Sequence, residues 1–270
     1  MRSFDHTDFG DLDLSAVSVV IPAKECAETI GPIVESLDAG QVLVVDANSA
    51  DGTSEIAAAA GAQVVRDSEL MPDYGPVLGK GDAMWRSLSA VGYDVVVFID
   101  GDTRGFNAHY VTGLAGPLLA DESIQFVKGA YTRPFTAGSE VVEEGGGRVT
   151  ELMARPLLRA FYPELAEFVQ PLAGEFAGRR DLLERIPWST GYAAEISMDI
   201  DIWKLVGVDA IAQVDIGERR QPHQPLKSLG AMASTILAAV AARLVDEGRM
   251  DADAAPPADF VVRPPLVACR

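Results

Sequence analysis

The sequence predicts an α/β protein with a mostly parallel sheet flanked by helices. Between residues 16 and 131, short β-branched runs alternate with helical patterns, which is typical of βα units. One of these runs is continuously apolar and ends in Asp100-Gly101-Asp102. Because open α/β sheets bind ligands at the carboxyl edge of their strands, these carboxylates predict a site at that edge.

The order of the other elements follows from the same patterns. In the first half the predicted strands are residues 17–21, 41–45, 63–66, 94–100 and 124–130, and the predicted helices are residues 28–37, 52–60, 81–91 and 107–119. In the second half we predict helices at 148–161, 193–206 and 226–245, a short strand at 210–216, and a mobile glycine-rich loop at 137–147. We divide the chain into an N-terminal tail (1–15), a sheet half (16–131), a mostly helical second half of the same domain (132–250) and a C-terminal tail (251–270), disordered or draped over the surface.

The charge of the chain argues against nucleic acid and membranes as partners. Forty acidic against 22 basic residues give a formal net charge of -18, which repels phosphates. An anionic substrate therefore requires a local group of basic residues.

The two cysteines, Cys26 and Cys269, form no disulfide framework, and the polar N-terminus has no signal-peptide core. We expect a cytoplasmic protein.

The longest apolar stretch, residues 229–245, is interrupted by Ser234, Thr235 and Arg243, so we expect no membrane span. Its apolar residues recur at helical spacing. Core packing is the leading interpretation of this stripe and a homodimer interface is the second. For the assembly we expect a homodimer.

Three strand ends deliver polar groups to one edge of the predicted sheet. They are Pro22-Ala23-Lys24, Asp46 with Ser49, and Asp100 with Asp102. Carboxylates at such an edge suit a divalent cation. Asp46 and Ser49 fit equally a contact to a base or ribose and a turn that caps a helix. The other Asp-x-Asp pairs follow no apolar run, and we interpret them as solvated turns: Asp11/Asp13, Asp199/Asp201 and Asp251/Asp253.

Lys80 stands between two glycines, Gly79 and Gly81, directly before a helical pattern. Glycine lets the backbone approach a ligand, and lysine offers a point charge for a phosphate. The alternative is a surface lysine beside a flexible turn. A P-loop is excluded because its Gly-x-x-x-x-Gly-Lys-Ser/Thr spacing is absent.

These segments occur in an order that resembles a known family. The segments VSVVIPA (17–23), VVDANSADGT (44–53), GKGDAMW (79–85) and VFIDGD (97–102) resemble GT-A glycosyltransferases that use nucleotide-diphosphate sugars. Further segments are similar to the glucosyl-3-phosphoglycerate synthase family: GGGRVTEL (145–152), QPLAGE (170–175), GYAAE (191–195), DAIAQV (209–214) and PLKSLGAM (225–232). The likeness covers roughly residues 16 to 245.

The resemblance implies retaining transfer of glucose from UDP-glucose to 3-phosphoglycerate, aided by Mg²⁺ or Mn²⁺. It places the nucleotide sugar in the first half and the acceptor in the second. The implied donor-binding residues are Pro22, Ala23, Lys24, Ser49, Lys80, Asp100, Gly101 and Asp102. The implied acceptor-binding residues are Gly147, Arg148, Thr150, Tyr192, Arg219 and Met232. The implied catalytic residues are Asp102, Lys80 and Glu195, and the implied metal ligands are Asp102 with His223 or Gln221.

The sequence departs from the family pattern at two places. Cys26 stands where the family has a glutamate near the base of the nucleotide, and Gln221 stands where it has a metal-binding histidine, with His223 two residues later. A different acceptor, or another donor such as a GDP-sugar, therefore stays open. A sugar-phosphate nucleotidyltransferase and a non-catalytic nucleotide-sugar-binding protein are the other classes considered.

Overall fold

The computed structural model describes residues 1–133, 135–137, 140–142, 147–219 and 226–269, and it confirms the predicted α/β class. The strands are β1 (Arg2–Asp5), β2 (Val17–Ala23), β3 (Gln41–Asp46), β4 (Gln63–Arg66), β5 (Val95–Phe98), β6 (Phe126–Thr132), β7 (Phe135–Ala137), β8 (Glu140–Val142), β9 (Phe176–Arg179), β10 (Trp188–Ser189), β11 (Ile211–Glu218) and β12 (Val262–Arg263). The helices are α1 (Ile30–Glu35), α2 (Thr53–Ala59), α3 (Lys80–Ser87), α4 (His109–Ala120), α5 (Arg155–Phe161), α6 (Arg180–Arg185), α7 (Ala194–Val206) and α8 (Leu226–Asp246).

Eight of these strands form one sheet in the order β1-β11-β6-β9-β5-β2-β3-β4. Neighbouring strands are parallel except at β9, which runs antiparallel to both β5 and β6. Because β2, β3 and β5 are mutually parallel, their carboxyl ends lie at the same edge of the sheet. The polar residues that follow these three strands therefore come together there.

The sheet separates two hydrophobic cores, one on each face. Successive residues of a strand point to opposite faces. Val19 and Val97 enter one core, and Val20 and Phe98 enter the other. All four are fully buried. A continuous apolar run is what a central parallel strand needs when helices cover both of its faces.

The prediction of an N-terminal tail over residues 1–15 is wrong for its first part. Arg2–Asp5 forms the edge strand β1, parallel to β11. The 3₁₀ turn His6–Phe9 packs against α4, where the Phe9 ring lies over Gly116. The four residues of β1 carry one apolar side chain, so no pattern indicated a strand. Strand β9 and helix α6 also went unpredicted.

The C-terminal segment lies against the domain, and its last part is not disordered. Strand β12 pairs antiparallel with β10, and Leu266 is buried. The glycine-rich stretch 137–147, expected to be a mobile loop, contains β8 and the last residue of β7, and these two strands pair antiparallel. Residues 138–139 and 143–146 of that stretch lie outside the described residues.

Among the described residues, helix α8 is long and apolar enough, by length and composition alone, to cross a membrane. Its surroundings are those of a core helix. Ile236, Val240 and Leu244 are buried, and Arg243 pairs with Asp201 of α7 at 2.7 Å. A charged residue is rarely buried unless it is paired in this way. The second half of the apolar stripe therefore packs into the domain.

We predict that Gly116→Ala lowers the free energy of unfolding by about 1 to 3 kcal/mol. The added methyl group would overlap the Phe9 ring and lie 2.7 Å from Phe9 Cβ, so the N-terminal turn would have to lift off α4. Gly230→Ala on α8 is the control, because its new Cβ would meet nothing within 4 Å and alanine favours a helix. Urea unfolding measures both variants. Wild-type stability of Gly116→Ala would show that the turn does not pack on α4.

Candidate active site

A cavity of about 570 Å³ opens at the carboxyl ends of β2, β3 and β5. Its volume suits a ligand of nucleotide size. Seven of the residues expected to bind the donor line it: Pro22, Ala23, Lys24, Lys80, Asp100, Gly101 and Asp102. Cys26, the departure from the family pattern near the base, lines it as well. Gly79, which precedes Lys80, also lines the cavity, as do four residues that the sequence did not indicate because they lie in an irregular segment between β4 and α3: Asp67, Ser68, Pro76 and Val77.

Ser49 is the expected donor residue that is not part of this lining. Its hydroxyl donates to Asp46 Oδ1 at 2.6 Å and accepts a hydrogen bond from the Glu25 backbone N–H at 2.9 Å. Ser49 thus links the loops that follow β2 and β3. This geometry favours the turn interpretation of Asp46 and Ser49 over direct contact with a base or ribose.

The carboxylate of Asp100 is shared between two cations from distant parts of the chain. Lys80 Nζ, at the start of α3, donates to Oδ1, and Arg219 Nη2, just after β11, donates to Oδ2 at 2.6 Å. Burial alone would raise the pKa of Asp100, but Lys80 and Arg219 outweigh it and hold the pKa well below its usual range. Asp100 therefore carries a full negative charge.

Arg219 is buried, with 2% of its side chain exposed. It pairs with Glu175 as well as Asp100, and it donates to Thr103 Oγ1 at 3.2 Å. We expected Arg219 to bind the acceptor. In the structure its guanidinium forms ion pairs with the carboxylates of Asp100 and Glu175. A role of Arg219 in acceptor binding stays a prediction.

Glu175 is a residue that sequence analysis missed. It comes directly before β9, the strand that was not predicted, and it is fully buried. Burial raises the pKa of Glu175 even though Arg219 partly offsets the effect. The signal that could have found it is the segment QPLAGE (170–175), which the resemblance singles out and which ends in Glu175.

Glu195, at the start of α7, lies 3.8 Å from Lys80 Nζ. Burial raises the pKa of Glu195, and the charges of Lys80 and Lys128 partly offset this rise. Lys128 forms a fully buried ion pair with Asp199 at 2.7 Å. Burial raises the pKa of Asp199 to about 6, despite the nearby Lys128.

The interpretation of Asp199/Asp201 as a solvated turn is wrong. Both lie within α7, where Asp199 pairs with Lys128 and Asp201 pairs with Arg243. Helical spacing alone does not distinguish these aspartates from exposed ones, since their partners are distant in sequence. The solvated-turn interpretation therefore failed to predict the two ion pairs that α7 carries after Glu195.

Asp102 differs from Asp100 in being open to solvent, with 67% of its side chain exposed, and its Oδ1 lies 3.8 Å from Arg219 Nη2, farther than the Asp100 carboxylate does. An exposed carboxylate beside a nucleotide-sized cavity fits the oxygen chemistry that Mg²⁺ and Mn²⁺ prefer. The described residues contain no cluster of three side chains able to hold a metal. The expected further ligands, His223 or Gln221, lie outside the described residues.

None of the residues expected to bind the acceptor lines this cavity, and three of them, Thr150, Tyr192 and Met232, lie on α8 or on turns that contact it. Gly147, with a φ of 70°, precedes Arg148, and Thr150 begins a π-helical turn that contacts α8. Tyr192 lies in the exposed turn before α7, which also contacts α8. Met232, on α8 itself, is partly buried. Arg219, by contrast, lies beside Asp100, which lines the cavity.

The comparison with known proteins identifies the family of this chain. Residues 18–125 match the model of Glycosyl transferase family 2, and the chain is a glycosyltransferase. A glucosyl-3-phosphoglycerate synthase of Mycobacterium tuberculosis is 44% identical over 237 residues, which cover 84% of this chain and 73% of the relative. The chain therefore belongs to the glucosyl-3-phosphoglycerate synthase family, as the sequence predicted.

Two solved structures are similar over nearly the whole chain. The mannosyl-3-phosphoglycerate synthase of Rubrobacter xylanophilus has a TM-score of 0.90 and 43% identity, covering 100% of this chain and 96% of that one. The M. tuberculosis glucosyl-3-phosphoglycerate synthase, in complex with Mn²⁺, UDP-glucose and phosphoglyceric acid, has a TM-score of 0.83 and 39% identity, covering 97% and 95%.

We predict that Gly174→Ala lowers kcat/KM about 100-fold, because small displacements of catalytic groups have effects of this size. A methyl group there would overlap Lys80 Nζ and lie 2.8 Å from Asp100 Oδ1, so the pair would have to separate. Gly10→Ala is the control, because its added Cβ would meet nothing within 4 Å. Steady-state rates of sugar transfer measure the effect. Wild-type kcat/KM in Gly174→Ala would mean that catalysis does not need the pair.

Proposed function

We propose that this protein transfers glucose, with retention of configuration, from UDP-glucose to 3-phosphoglycerate with the aid of Mg²⁺ or Mn²⁺. The observation that carries the proposal is the exposed Asp102 beside the paired Lys80 and Asp100, at the edge of a nucleotide-sized cavity. An anionic diphosphate needs local positive charge in a chain of net charge -18, and Lys80 and Lys24 supply it at the cavity.

The reaction divides among the residues around the cavity. Asp102 would hold the metal ion, which when bound neutralises charge on the departing diphosphate. Lys80 adds a second positive charge to the same leaving group. The charges of Asp100 and Glu195 raise the pKa of Lys80 above its usual value, against the effect of burial, so that it stays protonated. Lys80 therefore acts as an electrostatic group and not as a base.

Retention follows from attack on the face that the diphosphate leaves. We assign no enzymic nucleophile. The acceptor hydroxyl attacks the anomeric carbon while the C–O bond to the diphosphate breaks on the same side, and the hydroxyl proton passes to the departing diphosphate oxygen. Arg148 offers a planar fork suited to the carboxylate or phosphate of the acceptor. Catalysis then depends chiefly on positioning two substrates and on stabilising charge.

Transfer of mannose is the second candidate. The specific observation that favours it is the likeness to the R. xylanophilus mannosyl-3-phosphoglycerate synthase, at 43% identity. Cys26 in the cavity lining also leaves the base of the donor less restricted than the family glutamate would. A GDP-sugar donor belongs to this alternative.

We further propose that the enzyme works in the cytoplasm as a homodimer. The exposed apolar residues Leu226 and Leu237 on α8 support an interface at that helix. Light scattering that gives the mass of one chain would contradict the dimer.

Mass spectrometry of products from a matrix of substrates tests the function. The donors are UDP-glucose, UDP-mannose, GDP-glucose and GDP-mannose, each with 3-phosphoglycerate or glycerol 3-phosphate, with Mn²⁺ or with chelator. We expect glucosyl-3-phosphoglycerate from UDP-glucose with metal only. Exclusive use of a mannose nucleotide would favour the second candidate. No product from any pair would contradict both.

We predict that Asp102→Ala lowers kcat about 100- to 1000-fold, the usual effect of losing one group that stabilises transition-state charge. The variant removes the exposed carboxylate that would hold the metal ion. Asp253→Ala, in another Asp-x-Asp pair that is exposed far along the chain, is the control and should keep wild-type kcat. Near-normal turnover of Asp102→Ala at saturating Mn²⁺ would refute the metal role.

A further inference from the structure

We propose that Arg263, near the C-terminus, is a positioning residue for the nucleotide sugar, because through Asp82 it fixes the segment that forms one side of the donor cavity. We call residues 67–79, between β4 and α3, the cavity segment. The inference rests on the proposed function in one respect: the cavity is taken to hold the nucleotide of the donor.

Asp82 is the centre of this arrangement. It lies in the first turn of α3, two residues after Lys80, and is fully buried. Arg263 binds it through two parallel hydrogen bonds, Nε to Oδ1 at 2.8 Å and Nη2 to Oδ2 at 2.7 Å. Asp82 also accepts the Leu78 backbone N–H at 2.8 Å and Arg86 Nε at 3.3 Å. Burial would raise the pKa of Asp82, but these partners lower it below its usual value.

The two arginines hold the backbone of the cavity segment. Arg86 donates to the carbonyl oxygens of Leu70 at 2.8 Å, Met71 at 3.0 Å and Gly75 at 2.8 Å. Arg263 donates to the carbonyl oxygen of Tyr74 at 3.0 Å. These carbonyls belong to an irregular segment, so they cannot be paired within a sheet or a long helix. The buried guanidinium groups pair them instead, which fixes the path of the backbone.

The held segment faces the cavity. Five of its residues line the donor cavity: Asp67, Ser68, Pro76, Val77 and Gly79. Its last residue, Gly79, is followed directly by Lys80, whose ammonium pairs with Asp100. A shift of the cavity segment would therefore move both the lining of the cavity and the lysine expected to meet the diphosphate.

Arg263 reaches Asp82 because the C-terminal segment is anchored on both sides of it. Strand β12 pairs with β10, so that Arg263 lies opposite Trp188. Trp85 Nε1 donates to the Pro264 carbonyl at 2.9 Å, and Leu266 is buried. Residues 261–269 thus belong to the donor side of the domain, although the sequence suggested a tail without a role.

Arg263→Ala separates this positioning role from folding. In the variant Asp82 keeps Arg86 as a partner, so no buried charge is left unpaired, which is the usual cause of severe destabilisation. What is lost is the link between the C-terminal segment and the cavity segment. Arg263→Lys is a milder variant, because lysine keeps the charge and cannot form the two parallel bonds.

Arg179→Ala is the matched control. Arg179 also donates to backbone carbonyls, those of Ile124 at 3.1 Å and Leu118 at 2.8 Å. It pairs with Val95 at the start of β5, at the sheet edge opposite Asp100. Its loss should destabilise the protein in a similar way without touching the donor cavity.

The test measures the Kd of UDP and UDP-glucose by calorimetry, and the KM of each substrate, in the full-length variants. We expect Arg263→Ala to raise the donor Kd and KM about 10-fold or more, within the range for indirect displacement of a binding group, with Arg263→Lys intermediate. The acceptor KM of the Arg263 variants should stay close to wild type, and so should the donor Kd of Arg179→Ala.

A wild-type donor Kd in both Arg263 variants would overturn the inference. An equal rise in Arg179→Ala would overturn it too, by tracing the effect to lost stability. If the wild-type protein binds no nucleotide, the proposed function fails as well.

Discussion

The site depends on one carboxylate, that of Asp100, held between two cations. Asp100 has 17% of its side chain exposed, and removing a carboxylate from water to this extent is costly unless it is paired and hydrogen-bonded. Lys80 and Arg219 meet this requirement from opposite sides, and they belong to α3 and to the segment after β11. A single charged group thereby ties three distant parts of the chain together at the carboxyl edge of the sheet. Because Asp100 is occupied by these partners, Asp102 two residues later remains the carboxylate that is open to a ligand.

The antiparallel strand β9 makes this arrangement possible. It inserts between β5 and β6. Because β9 runs antiparallel to both, Gly174 and Glu175, which precede it, lie at the carboxyl edge of the sheet. The carboxylate of Glu175 pairs with Nη1 of Arg219, while Asp100 pairs with Nη2. Gly174 has no side chain, which leaves the space in which Lys80 pairs with Asp100. An all-parallel sheet would have placed β5 next to β6 and left Arg219 without its second partner. The strand that interrupts the parallel order of the eight-stranded sheet is thus coupled to the electrostatics of the site.

The sequence predicts those parts of the molecule that rest on local patterns. The apolar runs of β2 and β5 and the motif at Asp100 identify the sheet and the family, which the structure and the comparisons confirm. They also predict the edge of the sheet at which the cavity opens. The polar strand β1, the short β9 and the role of Arg263 have no local signal, because each is stabilised by partners far away in the chain. In the sequence, nothing distinguishes Asp199 from an exposed helical aspartate, because its partner Lys128 is 71 residues away. Long-range pairing of charges is what single-sequence reasoning lacks.

The central claim is that the two aspartates have separate tasks, Asp100 as the paired anchor and Asp102 as the metal ligand. A crystal structure of the protein with Mn²⁺ and UDP, with the metal located by its anomalous scattering, tests this most directly. We predict Mn²⁺ bound to a carboxylate oxygen of Asp102, with Asp100 still paired with Arg219. Mn²⁺ bound to Asp100, with Arg219 turned away from it and Asp102 in solvent, would show that the two aspartates do not divide the tasks in this way.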